Sequence, residues 1–201
     1  MKDPKVAALF GSSGKAELTS CDPAWSCGKV IDYQMKAFEL TGTVRQVRGK
    51  YEALMADVVT KVKGGKPVFF YAWSPSWVTN ALVPGSDVLW LPTPKDALPP
   101  DIPNDGSALV KDVEGCAGDA NPCRMAMGSW NYHTVANKQF LADNPAIRQL
   151  MQQVHFPTAV WSQWEAAIGK EGGSPEMIRK LADQWIGANQ AQFDQWIAAA
   201  K

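Results

Sequence analysis

Residues 50–73, KYEALMADVVTKVKGGKPVFFYAW, constrain the fold more tightly than any other stretch of this 201-residue chain. Tyr51, Leu54, Met55, Val58, Val59 and Val62 recur at i, i+3, i+4, i+7, i+8 and i+11. That is the period of a helix with one apolar face, and the pair Gly64–Gly65 stops it. The run from Lys66 to Trp73 is apolar without alternation, which reads as a strand covered on both faces. SPSWVTNAL then opens a helix at Ser74 and Pro75, and DVLWLP at 87–92 reads as a second buried strand. Helix, strand, helix, strand is α/β architecture.

Around this centre the signals are shorter. DPKVAALF at 3–10 reads as a helix opened by Asp3 and Pro4, and 29–41 as a helix with Ile31, Met35, Phe38 and Leu40 mostly inward. Residues 92–128 carry many prolines, few bulky apolar side chains and one of two cysteine pairs, the composition of an elaborated connection. NYHTVANK at 131–138 reads as a short strand. From Asn144 the chain is helical, over 144–155, 157–169 and 175–199, with Asn144–Pro145 and Ser174–Pro175 as helix starts. No internal repeat is found.

Lys plus Arg and Asp plus Glu each number 20, so the chain lacks the basic footprint that nucleic acid requires. No stretch approaches the ~20 apolar residues of a membrane-spanning helix. At the amino terminus the apolar run VAALF is shorter than the ~7–15-residue core of a signal peptide. LTSC at 18–21 imitates a lipoprotein cleavage box, but Lys15 and Glu17 stand where its apolar core belongs. The expectation is no export signal in this chain.

The four cysteines fall into close pairs, Cys21/Cys27 and Cys116/Cys123. Zinc ligands are usually spaced C-x₂₋₄-C, closer than these. Two local disulfides are favoured over metal ligation or free thiols, which would place the chain in an oxidising compartment. The first pair encloses a tryptophan, Trp25, in CDPAWSC.

Catalytic chemistry has little to work with. His133 and His155 have no nucleophile motif beside them, and GSSGK at 11–15 has neither P-loop spacing nor a preceding strand. The chain is therefore read as a non-enzyme needing no cofactor and no metal. The nine tryptophans say more. Trp73 ends a buried strand, where ligands collect in open α/β sheets, and Trp25 sits in a clipped loop. Rigid aromatic faces attract cations, and two or more can cage a quaternary ammonium. The backbone N–H groups of Ser26 and Cys27 could face an anion beside them. The residues alone leave open the plainer reading, in which both indoles pack in the core.

CDPAWSCGKV, GKPVFFYAWSPSWV, HTVANK and FDQWI, in this order, resemble the glycine betaine/proline betaine-binding proteins of osmoprotectant ABC importers. The resemblance runs from residue 2 nearly to 201, apart from an insertion in 92–128. It implies a type II periplasmic binding-protein fold, with one complete α/β lobe over 1–91. The hinge and proline-rich insertion follow over 92–128, and the C-terminal, mostly helical part of the other lobe over 129–201. It implies a periplasmic solute-binding protein for glycine betaine or a similar zwitterion, delivering to an ABC permease. In the family a box of three tryptophans holds the trimethylammonium group. Two of them match Trp25 and Trp73, and backbone donors to the carboxylate match Ser26 and Cys27. Nothing here aligns with the third tryptophan or with a carboxylate-binding histidine, which lie upstream in the family.

Two expectations follow. Binding by this chain alone is weak or lost. The helices, deprived of a family partner, bury their apolar residues in a homodimer, by packing or by exchange across 92–128. The alternative function is a truncated remnant acting as an oligomeric or protein-interaction module.

Overall fold

The computed structural model describes residues 1–102, 108–129 and 131–200. Residues 103–107 of the proline-rich segment, together with Trp130 and Lys201, lie outside the described residues. The chain divides into two compact units, Met1–Ser74 with Ala81–Ser129, and Pro75–Asn80 with Trp130–Lys201. The segment 92–128 is thus part of the first unit, and the start of the SPSW helix belongs with the C-terminal helices.

The first unit is built on a three-stranded parallel sheet. Its strands are β1 (Ala16–Thr19), β2 (Val44–Val47) and β3 (Phe69–Phe70), in the order β2-β1-β3. Ala16 pairs with Val44 and Thr19 with Val47 on one side, and Leu18 pairs with Phe69 on the other. Parallel neighbours need crossovers, here helices α2 (Cys27–Ala37) and α3 (Tyr51–Lys63). Ala16, Leu18, Val44 and Ile31 form the core with Ala7 of a short helix α1 (Pro4–Ala7). Asp3 caps α1, its carboxylate accepting the Lys5 N–H at 2.8 Å. On α3, Tyr51, Met55 and Val58 are buried at i, i+4 and i+7, while Leu54, Val59 and Val62 are half-buried.

Several strand expectations are corrected. Of 66–73 only Phe69–Phe70 join the ladder, and both are half-buried. At 87–92 there is no strand. Trp90 bridges Cys116, its N–H donating to Gly115 O and its carbonyl accepting from Ala117, while Leu89 and Leu91 are exposed. One-sided pairing with a loop leaves the alternate side chains in solvent. Beside this bridge Gly115 packs against the Pro84–Gly85 turn: its φ is +73°, and a Cβ there would lie 2.2 Å from the Gly85 nitrogen. Residues 131–138 carry no strand and are exposed up to the start of helix α5 (Lys138–Asp143), which Asn137 caps. The helix placed at 29–41 runs from Cys27 to Ala37 and is followed by Glu39 at φ 57°. β1 and β2 were not anticipated at all. The first unit also holds an antiparallel pair, β4 (Leu109–Val110) and β5 (Cys123–Arg124), whereas the short helix α4 (Trp77–Ala81) lies in the second unit up to Asn80.

The second unit is helical: after α5 come α6 (Pro145–Gln153), α7 (Thr158–Glu171), α8 (Pro175–Ala188) and α9 (Gln190–Ala199). The single helix expected over 175–199 is broken at Asn189, whose side-chain amide donates to Trp185 O at 2.8 Å. Such local bonding competes with helix continuation. Phe156 lies 4.9 Å, ring centre to ring centre, from both Trp164 and Trp185, and Trp185 stacks on Trp196. Among the described residues of 131–200 only Trp196 is buried.

Candidate functional site

All three parallel strands end at the same edge, and each is followed by an aromatic residue. The loop after β1 carries Trp25, the turn after β2 leads into Tyr51 at the start of α3, and β3 runs on to Tyr71 and Trp73. Since β1 lies between β2 and β3, its carboxyl end is where the connections part, the place at which open α/β sheets form a crevice.

The clipped loop is held at several points. Cys21 and Cys27 are disulfide-bonded, with S–S 2.06 Å and Cα–Cα 6.5 Å. Asp22 organises the turn: its carboxylate accepts the Ala24 N–H at 3.0 Å and its carbonyl the Trp25 N–H at 2.9 Å. Lys50 approaches the other carboxylate oxygen at 3.2 Å. The Ala24 amide first, and then the Lys50 ammonium, hold the Asp22 carboxyl below its ordinary value.

α2 begins at the second cysteine and is fixed to the sheet by a polar network. Gln46 of β2 bonds Ser20 at 2.6 Å and Asp32 at 2.7 Å, and Arg48 donates to Gly28 O at 2.8 Å and pairs with Asp32. The approach of Arg48 needs a glycine at 28, where a Cβ would stand 2.9 Å from Nε. The proline-rich segment adds two ties to the same helix, Lys29 to Asp101 and the buried Gln34 amide to Ala126 O. Lys29 holds the Asp101 carboxyl below its ordinary value.

The result is an aromatic corner. Trp25 and Trp73 have ring centres 5.8 Å apart and planes at 70°, and Tyr51 touches both, at 5.3 Å and 5.0 Å. Trp25 is 41% exposed whereas Tyr51 is 1% exposed. Inclined aromatic faces of this kind attract a cation whose bulk fills the angle between them. Ser26 and Cys27 are the N-cap and first residue of α2. Backbone N–H groups at a helix start point outward without an intrahelical carbonyl and favour an anion. A cation corner beside an anion-favouring helix start suits a zwitterion.

Of the residues singled out in the sequence, Trp25, Ser26, Cys27 and Trp73 come together here. Cys116 and Cys123 form their own disulfide, S–S 2.01 Å, which fastens β5 to the loop that pairs with Trp90. His133 and His155 belong to the second unit and are exposed, His155 Nδ1 lying 3.2 Å from Gln153 O. Tyr51 and Tyr71 were not anticipated at the site. Tyr51 had the helical period of a core residue, and its place directly after β2 is visible only once β2 is known.

The family model for the substrate binding domain of ABC-type glycine betaine transport systems matches residues 1–188. The chain is 40% identical over 209 aligned positions to the glycine betaine/proline betaine-binding periplasmic protein of Escherichia coli (strain K12). It is 37% identical to the glycine betaine-binding periplasmic protein OusX of Dickeya dadantii (strain 3937). Each alignment covers all of this chain and 58% of the relative. Lactococcal OpuAC, crystallised closed and complexed with glycine betaine, superposes with TM-score 0.58 at 17% identity, over 90% of this chain and 57% of that one. That likeness confirms the α/β fold of a periplasmic binding protein. With a family model spanning nearly the whole chain, and with relatives that are binding proteins and not enzymes, the chain belongs to the family of substrate-binding domains of ABC-type glycine betaine transport systems.

Proposed function

We propose that the first unit binds a quaternary-ammonium zwitterion, glycine betaine or a close analogue. Trp25 and Trp73 receive the methylated ammonium, and the Ser26 and Cys27 backbone N–H groups receive the carboxylate. The observation that carries this is the Trp25–Trp73 corner beside the start of α2, at the carboxyl ends of the sheet. A methylated ammonium has no N–H to donate, so aromatic faces suit it better than hydrogen-bond acceptors. The relatives' names supply the ligand, a periplasmic location and, with the family, an ABC permease as the partner. Titration of tryptophan fluorescence with glycine betaine, glycine and choline tests the reading. Glycine betaine should perturb the signal at the lowest concentration, because glycine lacks the methyl groups and choline the carboxylate. Equal responses to all three would refute it.

A second reading, an oligomeric or protein-interaction module, is favoured by one observation: the helices of 138–199 bury only Trp196 among their described residues. An apolar helical surface so little covered drives association at ~25 cal/mol per Å² buried. For the 201-residue chain alone the expected partner is a second copy. Light scattering after size exclusion should give twice the 21.9 kDa chain mass, and a monodisperse monomer would reject the dimer.

A further inference from the structure

We propose that Tyr51 is the positioning residue of the binding corner, a buried ring that sets the angle between Trp25 and Trp73 without itself meeting ligand. The proposal rests on the zwitterion reading above and adds a residue to it.

Three observations carry it. Tyr51 is 1% exposed, so a ligand in the corner cannot reach it. Its ring contacts both indoles, and it is inclined 39° to Trp25 and 31° to Trp73, between two planes that differ by 70°. Its hydroxyl donates to Tyr71 O at 3.2 Å, and Tyr71 N–H donates to Thr19 O at 2.8 Å. Tyr51 is therefore anchored to the segment that runs from β3 into Trp73, while its ring contacts the indole of the loop that leaves β1. Tyr71 closes the chain of contacts, 5.9 Å from Trp73. Without the central ring, Trp25 loses its aromatic support from below. The disulfide fixes only the ends of its loop, not the rotamer of an exposed indole.

The consequence is spectroscopic as well as functional. Two indoles this close and steeply inclined couple their ultraviolet transitions and give a circular-dichroism couplet. Subtracting the spectrum of a Trp25→Phe variant isolates this pair from the tryptophans of the helical unit. The experiment measures that difference couplet without ligand, then glycine betaine affinity, in the parent chain, Tyr51→Leu and Tyr51→Phe. Tyr51→Leu should lose the couplet and bind about tenfold more weakly, the loss of one well-aimed cation–π wall. Tyr51→Phe keeps the ring but not its anchor and should show a diminished couplet and a smaller loss of affinity. A parent-like couplet in Tyr51→Leu would overturn the proposal. If that variant does not melt cooperatively, Tyr51→Phe decides: a parent-like couplet overturns the proposal and a diminished one supports it. Because the couplet is read without ligand, failure of the parent to bind glycine betaine would defeat the functional reading and leave this test standing.

Discussion

Trp25 and Trp73 meet edge to face, ring centres 5.8 Å apart, although each follows a different strand of the sheet. Each inclined face contributes roughly 0.5–2 kcal/mol to holding a cation. With two such walls on this unit, Trp25→Ala and Trp73→Ala should each weaken glycine betaine binding by about tenfold or more, as read by calorimetry. Trp25→Ala should leave the urea midpoint near that of the parent, because the indole is partly exposed. Trp73→Ala also removes packing against Tyr51 and Tyr71 and should lower it.

Acid should loosen the clipped loop. The Asp22 carboxyl is held below its ordinary 3.8 by the Ala24 amide and by Lys50. A group whose pKa is depressed in the folded state stabilises it above the unfolded value, and that contribution disappears as pH falls through the folded one. Ligand-free Trp25 fluorescence should therefore be constant from neutral pH to about pH 4 and change below it. Asp22→Asn retains an oxygen for the Ala24 N–H and should flatten the acid limb. An unaltered acid limb in that variant would assign the transition to other carboxylates, Glu17 beside Arg45 among them.

The two disulfides should be separable by function. Each closes a short ring worth roughly 2–3 kcal/mol in the loop-closure model, so both double serine variants should lose comparable stability in urea. Only the Cys21/Cys27 variant should also lose ligand binding, because that bridge closes the loop of Trp25 and ends at the start of α2. Equal loss of binding in the Cys116/Cys123 variant would show that the proline-rich segment also sets the site through Lys29 and Gln34.

Trp196 is the buried centre of the helical unit, stacked on Trp185. Trp196→Ala should cost about 3–5 kcal/mol of that unit's stability and shift its melting transition. Trp25 and Trp73 lie outside that unit, so binding by the folded protein should be unchanged. Differential scanning calorimetry alongside a fluorescence titration checks both halves of this expectation.

What the sequence determined by itself was local. The helical period over 50–63 returned as Tyr51–Lys63, and the Asp3–Pro4 and Ser174–Pro175 starts returned as capped helices. Helices are legible in this way because their bonds join residues four apart, and a cap acts within one turn. The close cysteine pairs likewise announced their disulfides. Strands were decided by tertiary structure. AELT and VRQV are too short and too polar to be read as strands, yet they are β1 and the edge strand beside it, because each finds the other's backbone. DVLWLP looks far more like a strand and is not one, since Val88 and Trp90 meet only isolated bridge partners, Pro84 and Cys116, and no continuous neighbouring strand. The same non-local pairing brought Trp25, Tyr51 and Trp73 to one edge of the sheet. The sequence could name the two tryptophans, but only the order β2-β1-β3 could place a buried tyrosine against both.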